Sequence, residues 1–119
     1  MSKHKYDSFY ETMPKEVRVG YLFFKIEVRD NEDHEAEGTF GHMNVISQKI
    51  RIKPDMNPQN LANTFIHEVM HAINMNMGVL GKEGDEEMFV EMMANGICMF
   101  WQDNPEACEW WEKTLKARI

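Results

Sequence analysis

Apolar and polar residues alternate along much of the first half of the chain. Residues 17–28 read Val-Arg-Val-Gly-Tyr-Leu-Phe-Phe-Lys-Ile-Glu-Val, with apolar residues on either side of Lys25 and Glu27. A period of two is typical of a β-strand with one buried face. Gly20 within it could mark a bulge or the end of a turn. The same alternation predicts two further strands, over residues 39–47 and 49–53, joined as a hairpin. We therefore expect a short antiparallel sheet.

In the second half, apolar positions recur every three or four residues, which is the spacing of amphipathic helices. The first helix is predicted over residues 58–77, because Asn57 is a good N-cap and proline fits the first helical position. A second helix is predicted from about Asp85 to Asp103, where the following Asn-Pro ends it. A third is predicted over residues 106–117. The apolar face of the first helix consists of Leu61, Phe65, Val69 and Ile73.

Two other stretches complete the pattern. A short amphipathic helix is compatible with the spacing of Tyr6, Phe9, Tyr10 and Met13. Residues 29–38 are almost wholly charged or turn-forming, which predicts a solvated loop. The whole chain, residues 1–119, is expected to fold as one α+β domain.

Charge and cysteine content narrow the function classes. Twenty acidic residues against 13 basic ones give a formal net charge of −7, which disfavours nucleic acid and anionic membranes as main partners. Two cysteines are too few for a disulfide framework. The N-terminal residues lack the apolar core of a signal peptide, and no apolar run approaches the roughly 18 residues of a membrane span. We expect a cytoplasmic protein.

The first predicted helix contains a His-Glu-x-x-His pattern over residues 67–71. Side chains four residues apart lie on one face of a helix, so His67 and His71 can present two imidazoles to one ion. Two histidines, a third protein ligand and an open position for water make a catalytic zinc site. Glu68 would be the general base in such a site. The alternative is a helix that carries two exposed histidines and binds nothing.

The second predicted helix offers two candidates for the third ligand. Glu87 and Glu91 share one stripe of a helix that is otherwise largely apolar, and a carboxylate there is costly unless it is paired or binds a metal. One would bind the ion, and the other would accept a hydrogen bond from a ligand histidine. Glu87 is the preferred ligand, because Glu91 as ligand leaves only Asn95 in the supporting position. Alternatively, these acids only solubilise and cap the helix.

These features resemble the gluzincin metallopeptidases. The resemblance rests on the motif at residues 67–71, the glycine-bearing connection after it and the helix with glutamates at 87 and 91. It covers about residues 17–105. The minimal forms encoded by phages and prophages are the most similar, since residues 100–105, Phe-Trp-Gln-Asp-Asn-Pro, are similar to the segment that closes their glutamate helix.

The resemblance implies a small zincin-like domain, in which a short antiparallel sheet packs on the motif helix beside a glutamate helix and a C-terminal helix. It implies a zinc-dependent peptidase that cleaves a peptide or protein substrate with water activated by Glu68. The Zn²⁺ ligands that it implies are His67, His71 and Glu87, with Glu91 four positions later.

Two expectations about the substrate site and one alternative function stay open. No tyrosine or histidine in the second half is evident as an oxyanion helper, although Tyr21 or His42 of the sheet could serve. The strand over residues 39–47 could hold an extended peptide by strand addition. The alternative function is a zinc-stabilised interaction module with weak or no catalysis, which would tolerate the loss of Glu68.

Overall fold

A computed structural model describes residues 5–30, 39–77 and 86–118. In chain order these contain helix α1 (Asp7–Glu11), strands β1 (Glu16–Val19), β2 (Leu22–Val28), β3 (Gly41–Asn44) and β4 (Lys49–Ile52), and helices α2 (Pro58–Met77), α3 (Glu86–Asp103) and α4 (Pro105–Lys116). The α+β class is thus confirmed. The loop predicted over residues 29–38 lies largely outside the described residues.

The first predicted strand is in fact a hairpin. Strands β1 and β2 pair antiparallel, from Glu16 opposite Lys25 to Val19 opposite Leu22. The chain reverses at Gly20, whose φ of +62° is a left-handed conformation that costs glycine little because it has no Cβ. A single strand over residues 17–28 was therefore wrong.

The sheet is mixed, so the prediction of an antiparallel sheet was also wrong. Its strand order is β1-β2-β4-β3, and β4 runs parallel to β2 and antiparallel to β3. Ile50 and Ile52 of β4 are fully buried, whereas β3 contributes Gly41 and a half-buried Met43 to the same face. Placing β4 between two neighbours removes more apolar surface from water than placing β3 there would. Strand β3 is left at an edge.

The helical predictions agree with the structure to within about a residue at each end. The Asn57 side chain accepts a hydrogen bond from the backbone N–H of Asn60 at 2.8 Å, which confirms it as the N-cap of α2. Helix α3 begins at Glu86 and ends at Asp103, and α4 begins at Pro105. In the described part of the chain, no helix combines the length and apolarity needed to cross a membrane.

Helix α2 packs between the sheet and α4, and this packing decides which of its sides is left for chemistry. The predicted apolar face is buried, with Phe65 and Val69 wholly inaccessible. Trp110 of α4 meets the Phe65 ring edge-on, with centroids 5.1 Å apart, and its indole N–H donates to the Phe9 carbonyl at 2.8 Å. The opposite side of α2 remains open to solvent along His67 and His71.

Tyr10 of α1 anchors the connection that leads from β4 into α2. Its hydroxyl donates to the Lys53 carbonyl at 2.7 Å and accepts from the Met56 N–H at 2.9 Å. Burial raises the pKa of Tyr10 to about 12, so the hydroxyl keeps its donating proton throughout the physiological pH range. The start of α2 is thereby held at the end of the sheet.

Candidate functional site

The two histidines of the motif converge at the surface of α2. The Nε2 atoms of His67 and His71 lie 3.1 Å apart, and the ring planes meet at 74° with centroids separated by 4.7 Å. Two imidazole ligands on a tetrahedral zinc ion, each at about 2.0–2.1 Å, have nitrogens about 3.4 Å apart. The donor type and spacing of this pair therefore suit two positions of such an ion. Without an ion, the two Nε2 atoms are within hydrogen-bond distance of each other.

Glu68 is buried where α2 meets β3. Only 6% of its surface is exposed, and a Cβ built on Gly41 would lie 3.2 Å from its Oε2 and 2.7 Å from Thr64 Cγ2. Glycine at position 41 is what allows the helix to approach the strand so closely. Within the residues that the structure describes, the Glu68 carboxylate makes no hydrogen bond or ion pair. Its oxygens are not fully enclosed, and the side chain lines the open space between α2 and β3.

A groove of about 840 Å³ runs between β3 and α2 and brings these groups together. One wall is the strand with the turn that follows it. The floor is a stripe of α2 with a spacing of four residues: Asn63, His67, His71 and Met75. Glu68 lines the groove beside the histidines, so a bound chain would meet a carboxylate and two imidazoles at its centre.

The outer edge of β3 offers free backbone groups to this groove. The Phe40 carbonyl accepts from the Lys53 N–H at 2.8 Å. Opposite residues of an antiparallel pair alternate between bonded and non-bonded, so Gly41 and Met43 turn their N–H and C=O groups away from β4. No strand pairs with this side of β3 in the described ranges. The edge can therefore accept a further strand.

The two predicted glutamates of α3 lie elsewhere. Glu87 and Glu91 are exposed, whereas the buried stripe of α3 consists of Met92, Met93, Gly96 and Phe100. Gly96 lies so close to Ile73 of α2 that a Cβ would not fit, and Ile73 is about 200° around α2 from His71. The glutamate stripe is therefore not the side of α3 that packs on α2. A ligand role for either glutamate stays a prediction.

Part of the site was not predicted from the sequence. His42 lines the groove, whereas Tyr21 is 76% exposed in the turn between β1 and β2. Gly41 and Met75 were not predicted at all. A signal existed for Met75, which lies four residues beyond His71 on the same helical face. Gly41 has no such signal, because its role depends on contact between distant segments.

No protein-family model, curated protein or solved structure matches the chain. Among residues 5–30, 39–77 and 86–118, no group of three or more His, Cys, Asp or Glu side chains could hold a metal ion. The assignment to the gluzincin metallopeptidases was therefore wrong, and the zincin-like fold that it implied has no support. The physical reason is the orientation of α3, which buries its methionines and leaves its glutamates in solvent.

Proposed function

We propose that the protein is a zinc-dependent peptidase in which Glu68 acts as the general base. The observation that carries the proposal is the position of this carboxylate, which lines the same groove as two converging imidazoles and has no hydrogen-bond or ion-pair partner in the described part of the chain. A carboxylate that faces a groove beside two potential metal ligands is placed to act as a general base.

The chain's own residues supply the proton transfers. Zinc bound by His67 and His71 would polarise the scissile carbonyl and make water more acidic. Glu68 accepts a proton from the attacking water, holds it in the sheltered position against Gly41, and passes it to the leaving amine as the C–N bond breaks. The third zinc ligand is a separate part of the proposal, with Glu87 and Glu91 as its candidates.

The substrate would lie along β3 as an added strand. Gly41 and Met43 provide outward N–H and C=O groups, and main-chain hydrogen bonds of this kind bind an extended polypeptide of any sequence. Because a Cβ at position 41 would lie 3.2 Å from Glu68 Oε2, a peptide bond opposite Gly41 would lie within reach of the general base. The preference for a polypeptide over a small ester or amide follows from this edge.

Zinc content, measured by elemental analysis, tests the metal part of the proposal. We expect about one zinc per chain in the wild type and its loss in His67→Ala and His71→Ala. Glu87→Ala or Glu91→Ala should lose zinc if that residue is the third ligand. Glu86→Ala removes an exposed acid of the same helical turn and is the matched control. Failure to take up zinc when it is offered would overturn the metal site.

Peptide hydrolysis tests the role of the glutamate. Glu68→Gln should retain the zinc of the wild type and cleave peptides about 10²- to 10⁴-fold more slowly, which is the usual contribution of a general base. Hydrolysis that is unchanged in this variant would contradict the proposed mechanism even if zinc is bound.

A second candidate function is a zinc-stabilised interaction module. It is favoured by the start of α3, where Met88, Phe89 and Val90 are consecutive and each is about half exposed. Exposed apolar residues that are contiguous often mark protein contacts. An interaction module would bind zinc and its partner equally well after Glu68→Gln, whereas the peptidase would lose its activity.

A further inference from the structure

The outer face of the sheet is basic beside the open edge. His42 and Asn44 of β3 lie opposite Arg51 and Lys49 of β4, and these side chains alternate with buried isoleucines and so point outward. Lys53 continues the row two residues further along. Lys49, Arg51 and Lys53 therefore place a positive charge at every second position along β4 and just beyond its end.

Among the described residues, Glu27 offsets part of this charge, and Arg51 makes a further interaction in addition. Glu27 of β2 lies 3.7 Å from Lys49 and 3.9 Å from Arg51. Lys25, the β2 partner of Lys49, adds a further cation to the same face. A chain whose formal net charge is −7 thus presents a locally positive surface behind β3. Such a surface attracts negatively charged groups.

The groove side of the same edge carries apolar residues on either side of the Glu68 and histidine cluster. Met43 is half-buried against the core, and Met75 of α2 lines the groove one turn beyond His71 while remaining 43% exposed. Ile46, in the turn after β3, is 91% exposed and also lines the groove. A side chain that pointed from an added strand toward α2 would cover these residues.

Successive side chains of a strand point to opposite faces, so a strand added to β3 would meet both surfaces in turn. We infer that the substrate segment is an extended polypeptide in which apolar and acidic side chains alternate. The apolar side chains face Met43 and Met75, and the acidic ones face the row formed by Lys49, Arg51 and Lys53. This inference names the substrate class of the proposed function and rests on it.

The apolar and the acidic side chains of the substrate should contribute unequally to binding affinity. The apolar contacts are direct, and loss of one well-covered aliphatic side chain weakens binding by about tenfold or more. The cations of β4 lie two strand spacings, about 10 Å, from an added strand. That distance is close to the Debye length of about 8 Å at physiological salt, so each acidic side chain should contribute only about a two- to threefold change, and less at high salt.

Fluorescence anisotropy with three labelled peptides tests the inference. The full-length Glu68→Gln variant is used so that binding is measured without turnover. The peptides alternate Leu with Glu, Leu with Lys, and Ser with Glu. We expect the Leu-Glu peptide to bind most tightly, the Leu-Lys peptide to bind several-fold more weakly and to gain affinity as salt is raised, and the Ser-Glu peptide to bind at least about tenfold more weakly.

Substitutions in the protein test which of its residues bind the peptides. Lys53→Gln should weaken the Leu-Glu peptide about two- to threefold, whereas Lys113→Gln, an equal charge change on α4, should not. Met43→Pro removes an outward N–H and should abolish binding of all three peptides. Circular dichroism should show that each variant is folded.

Three results would overturn the inference. Equal binding of the Leu-Glu and Leu-Lys peptides excludes the acidic preference, and equal binding of the Leu-Glu and Ser-Glu peptides excludes the apolar one. A wild-type dimer that Met43→Pro converts to a monomer would show that a second copy of the chain occupies the edge. None of these measurements requires zinc or hydrolysis, so they fail independently of the proposed function.

Discussion

The two edge strands of the sheet differ in whether their outward backbone groups have hydrogen-bond partners among the described residues. At the β1 edge, the Asn104 side chain accepts from the Arg18 N–H at 2.8 Å and donates to the Arg18 carbonyl at 2.7 Å. At the β3 edge, Gly41 and Met43 have no partner strand in the described ranges. Open edges invite unwanted pairing, and natural proteins usually protect them. An edge that is unpaired within the described residues and lies beside Glu68 supports the proposed peptide site.

The closed edge shows how little is needed for protection. Asn104 lies between α3 and α4 and is 9% exposed. Its amide also donates to the Phe100 carbonyl at 3.0 Å, which fixes the orientation of the side chain. One residue thus satisfies both free backbone groups of Arg18 and joins the sheet to the two last helices. The β3 edge lacks any equivalent in the described residues.

Opening the closed edge should have the largest effect on stability. Asn104→Leu keeps the number and branching of the side-chain heavy atoms but leaves the Arg18 N–H and C=O without their partner, which should lower the free energy of unfolding by about 2–4 kcal/mol. Urea denaturation measures this change. Asn95→Leu, an exposed position of α3, is the control and should change stability by less than about 0.5 kcal/mol. A similar change in both variants would contradict the role given to Asn104.

Crowding the open edge should have a smaller effect. In Gly41→Ala the new methyl group would lie 2.7 Å from Thr64 Cγ2, and overpacking of this kind costs about 1–3 kcal/mol. Thr64→Ser removes the methyl group that obstructs it, so the double variant should recover much of the loss. A thermodynamic cycle of the four proteins measures this coupling. Additive effects would show that the close approach of α2 to β3 at Gly41 is unimportant.

Local signals in the sequence were enough to predict the helices and the histidine pair. Asn57 and the proline after it set the start of α2, and a spacing of four residues brought His67 and His71 together. The orientation of α3 was not predictable in this way. Its first turns contain apolar residues on all sides, so the periodicity does not select one buried stripe.

Features of the sheet that depend on distant segments could likewise not be predicted from the sequence. Strand order depends on which strand buries most apolar surface, and this emerges only when β4 is compared with β3 in the assembled core. Asn104 was interpreted only as part of a helix break, because its partner Arg18 is 86 positions away. The open β3 edge could be suggested as a peptide site, but its free groups at Gly41 and Met43 required the register.

Neutralising the buried acid at the open edge should have the smallest effect, and of opposite sign. Glu68→Gln replaces a buried charge that has no partner in the described structure with a neutral group of similar shape, which should raise the free energy of unfolding by up to about 1 kcal/mol. Glu86→Gln is the exposed control and should be close to neutral. Urea denaturation of both variants without added metal makes the comparison. Destabilisation by Glu68→Gln would mean that the carboxylate supports the fold, and the main argument for catalysis would be lost. Stabilisation would indicate that folding alone does not account for an acid at this position, as expected where the open edge receives a substrate.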